Sequence, residues 1–262
     1  MKILCIGDMV GSPGRSIVRE YLSINREKYD FVIANGENSA GGFGITPEIA
    51  DEILGFGVDL ITTGNHIWDK REIYPYLDDS RRIIRPYNYP KGSPGKGVAK
   101  LESLGGDRIS IINMQGNIFM PPLSNPFHEM EQALEEAKDF SNLVVVDFHA
   151  ETTSEKMAMG WHLDGRASLV FGTHTHVPTA DERILPNGTG FVSDLGMCGG
   201  HNGVIGMKKE EILKKFIISL PSKFQVCKEN IRMNGIEADL EGGLCKSIKR
   251  INLSMSDLKR DG

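Results

Sequence analysis

The sequence predicts an α/β fold whose strands run parallel in an open sheet. Three observations carry that expectation. Short apolar runs alternate with amphipathic segments from the N-terminus, in the order strand, helix, strand, helix, strand. Successive apolar runs stop at residues able to bind a metal or carry a proton, among them Asp8, Glu37, Asn65, His149 and His174. No repeat, charge block or low-complexity linker divides the 262 residues, so the chain reads as a single domain over residues 1–262.

Lys2 to Ile6 forms the first strand and stops at Gly7-Asp8. A Gly/Ser/Pro turn from Gly11 to Gly14 leads into a helix in which Ile17, Val18, Tyr21 and Leu22 share one face. Asp30 to Ala34 is the second strand, ending at Asn35-Gly36-Glu37-Asn38. A loop with Gly41, Gly42 and Gly44 precedes Thr46-Pro47, a helix start with proline where a missing N–H is harmless. Ile49, Ile53 and Phe56 supply that helix's apolar side. Val58 to Thr62 is the third strand and runs into Gly64-Asn65-His66. Right-handed crossovers join parallel strands of this order.

Ile83-Ile84 begins a short strand, and Pro86, Pro90 and Pro94 exclude a helix from residues 85–97. Val98 to Leu101 and Arg108 to Asn113 form two strands around Gly105-Gly106-Asp107. After Pro126, the spacing of Met130, Ala133, Leu134 and Ala137 predicts a helix. Leu143 to Val146 is a buried strand ending at Asp147-Phe148-His149, and a helix covers part of Ser154 to Trp161. Ser168 to Phe171 ends at Gly172-Thr173-His174-Thr175-His176. Gly190 to Ser193 is strand-like, and Ile212, Leu213, Phe216 and Ile217 mark one more helix. Lys223 to Cys227, Ile231 to Leu240 and Lys246 to Leu253 alternate as a closing antiparallel meander.

Composition narrows the function classes. A net charge of −5 argues against indiscriminate binding to nucleic-acid backbones, so no stable nucleic-acid complex is expected. No run approaches the roughly 18 apolar residues of a membrane helix. The first strand is interrupted by Asp8 too soon to serve as a secretory leader. Cys5, Cys198, Cys227 and Cys245 form no CxxC pair, and Cys5 lies inside the first strand. Buried free thiols and a cytoplasmic location follow.

Asp8, Glu37-Asn38, Asn65-His66, His149 and His174/His176 each lie at or just past a strand end, where an open sheet binds its ligands. Each has an ordinary explanation alone: turn chemistry, a surface pair, a satisfied core histidine. Together, five segments deliver carboxylates, amides and imidazoles to one edge, which points to a metal site. Mixed donors without thiolates suit Mn, Fe or Zn rather than a structural zinc cluster. The donors outnumber what one tetrahedral ion uses and fit two ions about 3.5–4 Å apart, the arrangement that clamps an in-line phosphoryl displacement.

These residues resemble the calcineurin-like metallophosphoesterases, whose pattern is Asp-x-His, Gly-Asp, Gly-Asn-His, a lone His and Gly-x-His-x-His. Gly64-Asn65-His66, His149 and Gly172-Thr173-His174-Thr175-His176 follow it in order. Two departures stand out. Met9-Val10 follows Asp8 where the first His belongs, and Gly36-Glu37-Asn38 replaces Gly-Asp. The YmdB-like branch is similar at both departures. It is also similar at Gly7-Asp8, at Val10 to Arg15, at Arg85-Pro86, at Pro94 to Gly97, at Asp147 to Glu151 and at Asp164 to Ala167. The match runs from Met1 to Met207.

The resemblance implies a four-layer αββα sandwich, a cytoplasmic homo-oligomer, and Fe or Mn as the ions with Zn as an option. It implies that Glu37 bridges two metals, that Asp8, Asn38 and His176 complete one site, and that Asn65, His149 and His174 complete the other. His66 is then the general acid, and a metal-bridged hydroxide attacks a small phosphodiester, a 2′,3′-cyclic nucleoside monophosphate such as 2′,3′-cyclic AMP. A metallohydrolase of amide bonds and a non-catalytic, metal-containing regulator that binds RNA or protein stand as alternatives.

Several neighbours carry two readings. Asp69 is assigned to capping the following helix, with orientation of the His66 ring as the alternative. Asp147 and Glu151 flank His149 either as carboxylates fixing a ligand tautomer or as surface charge. Gly41 to Gly44 is turn glycine rather than a phosphate loop. His128 is a solvent-facing helix residue and His201 sits in a loop that lines an entrance or nothing. Arg166, Asn113 and Gln115 are assigned structural roles, with substrate binding as the alternative.

Overall fold

The computed structural model describes residues 1–103 and 105–258. β1 (Lys2–Ile6) and β2 (Asp8–Met9) open the chain. α1 (Gly11–Asn25), a 3-10 turn at Arg26–Lys28, β3 (Phe31–Asn35), α2 (Pro47–Gly55), β4 (Leu60–Thr62) and α3 (Ile73–Asp79) follow. β1, β3 and β4 pair in parallel, with Ile3 opposite Phe31 and Ile33 opposite Leu60. Every residue of β3 and β4 is buried, as a parallel strand covered on both faces requires. Thr46 caps α2 as predicted, its hydroxyl accepting from the Ile49 N–H. α1 begins earlier than expected, because Gly11 to Gly14 form its first turn rather than a loop before it. Pro13 is tolerated there, where N–H groups lack an intrahelical acceptor. Gly14 lets the helix close on the Cys198 carbonyl, whose oxygen a Cβ would meet at 2.3 Å.

The second half adds β5 (Val98–Glu102), β6 (Arg108–Gln115), α4 (Pro126–Lys138), β7 (Val144–His149), α5 (Thr153–His162), β8 (Leu169–Thr173), β9 (Arg183–Ile184) and β10 (Gly190–Val192). Ile83 makes only an isolated bridge to Ile61, not the short strand expected. β6, β7, β8 and β10 run parallel, while β5 and β9 close the two edges antiparallel.

The chain then returns to the first sheet with β11 (Met197–Gly200), α6 (Lys209–Ile218), β12 (Ile231–Glu241), β13 (Leu244–Ser254) and α7 (Met255–Leu258). The expected three-stranded meander is a hairpin, β12–β13, and Lys223 to Cys227 contributes one bridge, Val226 to Met207. β12 docks antiparallel on β1, from Lys2 opposite Asp239 to Ile6 opposite Gly235, which pairs the edge of β1 that β3 leaves open. The result is two mixed sheets, in the orders β2-β11-β12-β1-β3-β4 (with β13 beside β12) and β5-β6-β7-β8-β10-β9.

Alternate residues of each strand serve different apolar layers. Ile3, Cys5, Phe31 and Ile33 of the first sheet meet Ile109, Ile111, Val145 and Phe171 of the second. Leu4, Ile6 and Val32 pack outward against Ile17, Val18 and Leu22 of α1, and Ile112, Val146 and Phe148 pack outward against Met130, Ala133 and Leu134 of α4. Each fully buried side chain of this size contributes roughly 1.5–3 kcal/mol, so the sheets are held rigidly enough to fix what lies at their ends. All four cysteines are buried free thiols, as predicted. Among the described residues no helix is long and apolar enough to cross a membrane.

Candidate metal centre

The strand ends converge, but from two sheets rather than one. β2, β3 and β4 bring Asp8, Glu37-Asn38 and Asn65-His66 from the first, and β7 and β8 bring His149 and His174/His176 from the second. Periodicity marks a buried strand without saying which sheet it joins, so the expectation of a single edge was too simple.

Hydrogen bonds at one ring nitrogen fix what the other presents. The Thr173 hydroxyl donates to Asp147 Oδ1 at 2.7 Å, so it can only accept from His149 Nδ1, 2.9 Å away. Nε2 of His149 is thereby turned toward Glu37 Oε1 (3.0 Å), Asn65 Oδ1 (3.0 Å) and His174 Nδ1 (3.1 Å). His176 Nδ1 donates to the Ile205 carbonyl at 2.9 Å, leaving Nε2 toward Asn38, 3.0 Å away. His174 Nε2 lies 3.2 Å from Glu151 Oε2, which leaves Nδ1 facing inward. Asp147 and Glu151 therefore act on different histidines, one through Thr173 and one directly.

Three imidazoles thus turn a nitrogen inward: His149 Nε2 onto two acceptor oxygens, His174 Nδ1 onto His149 Nε2, and His176 Nε2 onto the Asn38 amide nitrogen. Glu37 is wholly buried, with Oε2 taking the His66 N–H at 3.0 Å. Asp8 is wholly buried too; its Oδ2 accepts the His174 N–H at 3.2 Å, and its Oδ1 has no hydrogen-bond partner. Burial pushes the Asp8 carboxyl well above the usual range, and the charge of Glu37 adds to it. Burial would also raise Glu37, but His149 beside it and the His66 N–H outweigh that and hold it at about 2. Burial would lower His149, yet Glu37 raises it to about 8. Burial and the neighbouring His149 take His174 down to about 3. Convergent donor atoms, a buried carboxylate oxygen without a hydrogen-bond partner and a close His149–Glu37 contact are the chemistry of a cation-binding set. Ligand atoms of Glu37, His149 and His174 all lie within 4.8 Å of one another. The donor set fits a metal.

Two local features make this proximity possible. A Cβ on Gly64 would lie 2.2 Å from His149 Nε2, so only glycine lets the β4 loop pass the ring. His174 and His176 sit at φ +100° and +67°, a conformation L-residues adopt at a cost of order 1–3 kcal/mol. Asp194 pins the turn between them: its carboxylate accepts from the N–H and hydroxyl of Thr175 and from the Gly196 N–H, and pairs with Lys156 at 2.5 Å. Both charged partners are only 2% exposed. Neither was singled out from sequence, because nothing in a lone Lys and a lone Asp 38 residues apart marks them as partners.

His66 stands apart from the inward cluster. Its Nδ1 is 2.9 Å from Asp69 Oδ2 and its ring meets Phe43 edge-on at 5.1 Å. The capping assignment for Asp69 is corrected: the next helix, α3, starts after Glu72 and has no side-chain cap. His66, Glu37, Asn38, His174 and His176 line a cleft of about 380 Å³. Its other wall is Phe43, Ile205, Met207, Ile212 and Phe224, which sequence pattern did not assign to a site.

A family model described as YmdB-like protein matches residues 4–251. The chain belongs to that family. It is 45% identical to a Bacillus subtilis (strain 168) protein named 2′,3′-cyclic-nucleotide 2′-phosphodiesterase, over 98% of each chain. Among solved structures, one from Thermus thermophilus superposes with a TM-score of 0.93 at 42% identity, covering 97% of this chain and 99% of that one. A structure described as a novel phosphatase from Mycoplasma pneumoniae gives 0.89 at 33% identity, with 99% and 96% covered.

The remaining residues weighed from sequence lie elsewhere in this family member. Arg166 pairs with Glu131 at 2.7 Å on the surface, and His128 is exposed. Asn113 accepts the Thr63 N–H, and Gln115 accepts from the Tyr89 hydroxyl, so both brace the loops behind the site. His201 lies against Asn234 and the Met197 carbonyl, outside the cleft lining. Gly41, Gly42 and Gly44 all have positive φ and serve the turn that carries Phe43.

Proposed function

We propose that the chain is a dinuclear metal-dependent phosphodiesterase acting on small phosphodiesters, with 2′,3′-cyclic nucleoside monophosphates such as 2′,3′-cyclic AMP as substrates. The observation that carries the reading is the gathering of ligand atoms of Glu37, His149 and His174 within 4.8 Å of one another, with Asp8 and His176 facing each other at 3.9 Å and His66 held by a carboxylate. Membership of the family and the name of the Bacillus subtilis relative support it.

Glu37 would be shared by two ions. Asp8, Asn38 and His176 would complete one site, and Asn65, His149 and His174 the other. Asn38 now directs Nδ2 at Glu37 Oε1 and His176 Nε2; a half-turn of its amide puts Oδ1 in that place for a cation. Iron or manganese suits these donors, and zinc is an option. When bound, such ions supply Lewis-acid charge for phosphoryl oxygens and make water acidic enough to attack near neutral pH. The chain's own residues do the rest. Asp69 holds Nδ1 of His66, so Nε2 is the nitrogen left to meet a substrate and protonate the leaving ribose oxygen. The two sheets with helices on their outer faces fit the four-layer αββα sandwich of calcineurin-like metallophosphoesterases. A single domain, a homo-oligomer and a cytoplasmic location complete the proposal.

The test is metal analysis of the purified protein coupled to a screen of phosphomonoesters, cyclic and linear phosphodiesters, and amides. Turnover of cyclic phosphodiesters that tracks two metals per chain is expected. Amide turnover would favour the other metallohydrolase, and bound metal without any turnover would favour the regulator.

A further inference from the structure

The metal-binding side accounts for half of the cleft. The facing wall has no part in holding ions: Phe43, Ile205, Met207, Ile212 and Phe224 are apolar, and Ile205 is half exposed. Phe43, Ile205 and Phe224 keep part of this surface open to water beside six ionisable or amide groups, while Met207 and Ile212 are buried. Ile205 also holds φ +43°, unusual for a β-branched residue, while its carbonyl accepts from His176. The wall and the metal-facing side are thus joined through one backbone group.

We propose that this wall is a platform for the face of a single nucleobase, with Phe43 and Phe224 as its two aromatic ends. The proposal rests on the phosphodiesterase reading above and extends it. Three observations choose the occupant. The cleft volume of about 380 Å³ is near the lower end for a small-molecule site, enough for one nucleotide and not for a chain of them. Among the described residues lining it there is no Lys or Arg, and Glu151 adds a carboxylate, so apart from Lys215 beside the Phe224 ring the wall offers the phosphates of a polymer no row of cations to follow. An aromatic and aliphatic surface gains from a base's flat face, since every base has one.

The same lining explains what the platform would not do. Its side-chain hydrogen-bonding groups are Glu37, Asn38, His66, Glu151, His174, Thr175 and His176, and Thr175 is already bonded to Asp194. None is an uncommitted amide or guanidinium of the kind that reads base edges. Base identity therefore matters little and the presence of a base matters much. Phe224 has the Lys215 ammonium 5.0 Å from its ring centre, which braces the ring from α6.

Calorimetry tests this without turnover. Adenosine 3′-phosphate and methyl riboside 3-phosphate share sugar and phosphate and differ by the base. On the metal-loaded wild type, adenosine 3′-phosphate is expected to bind about tenfold tighter, the scale of one base–aromatic stack. In Phe224→Ala the ratio should fall below about threefold, and Phe43→Leu, which keeps apolar volume and removes the ring, should reduce it in the same direction. Uridine 3′-phosphate should bind within about threefold of the adenosine compound, a little weaker for its smaller ring. Equal affinity of the two riboside phosphates on wild type, or an unchanged ratio in both variants, would overturn the platform. Base-dependent binding by a protein that hydrolyses no phosphodiester would support the platform and defeat the activity assignment instead.

Discussion

Oδ2 of Asp69 lies 2.9 Å from Nδ1 of His66, three residues earlier in the chain, and no helix cap competes for that carboxylate. The pair makes the two residues separable by experiment. His66→Ala should keep its metal and lose roughly 10²–10⁴ in kcat, the usual worth of a placed acid. Asp69→Asn should lose less, about tenfold, with KM unchanged. Steady-state kinetics with metal content measured on the same samples checks both; full activity in His66→Ala would remove it from the mechanism.

Glu37 touches three other residues of the candidate site: His149, Asn38 and the His66 N–H. Glu37→Ala is expected to lose metal as well as turnover, unlike His66→Ala. Elemental analysis after gel filtration distinguishes the two. Stoichiometric metal in Glu37→Ala would show that the carboxylate does not bind the ions.

Gly64 offers a subtler perturbation. In Gly64→Ala the new methyl would sit 2.2 Å from His149 Nε2, so the ring or the β4 loop must shift. Circular dichroism should be unchanged while metal affinity falls, on the order of 10–100-fold as for other disturbed ligand settings. Titration with Mn²⁺ reads it.

The buried Lys156–Asp194 pair predicts a stability effect. Lys156→Met leaves the Asp194 carboxylate unpaired at 2% exposure and should cost about 3–5 kcal/mol. Adding Asp194→Asn should recover part of that loss, since no buried charge is then stranded. Urea midpoints of the two variants measure it. Equal destabilisation in single and double variants would mean that Thr175 anchoring, not charge, dominates.

The metal-free protein should show a pH signature from His149. Its folded pKa is about 8, above the ordinary 6.5, because Glu37 outweighs the effect of burial. The associated stability is fully present below 6.5 and disappears as pH rises through about 8, on the order of 2 kcal/mol from the size of the shift. Urea melts of the apo protein between pH 6 and 9 should weaken in that window, and the same step should vanish in His149→Gln.

Much of this architecture was legible because buried parallel strands are short unbroken apolar runs, and Lys2–Ile6, Phe31–Asn35 and Val144–His149 all announce themselves that way. The site was legible for a related reason: a polar side chain directly after such a run has few places to be except the sheet's end. What failed was pairing. Nothing in Lys223 to Cys227 distinguishes a strand from an extended loop, since only partner availability decides it. The apolar wall was missed because Phe43 and Phe224 lie in irregular segments, where no period exists to reveal a shared face. Asp69 was misassigned because a carboxylate ahead of a helix fits the capping pattern equally well.

β12 occupies the edge of β1, and β11 pairs Met197 with Asp8. On the ribosome, the first of the proposed ligands to emerge is therefore among the last to be fixed. Asp8 leaves the exit tunnel about two hundred residues before the strands that hold it, a delay long enough for non-local pairing to govern the folding rate. On the proposed reading, the part of cation capture that needs Asp8 is consequently a late event in the life of each chain, whereas Glu37, His149 and His174 ride on β3, β7 and β8, which are synthesised before β11.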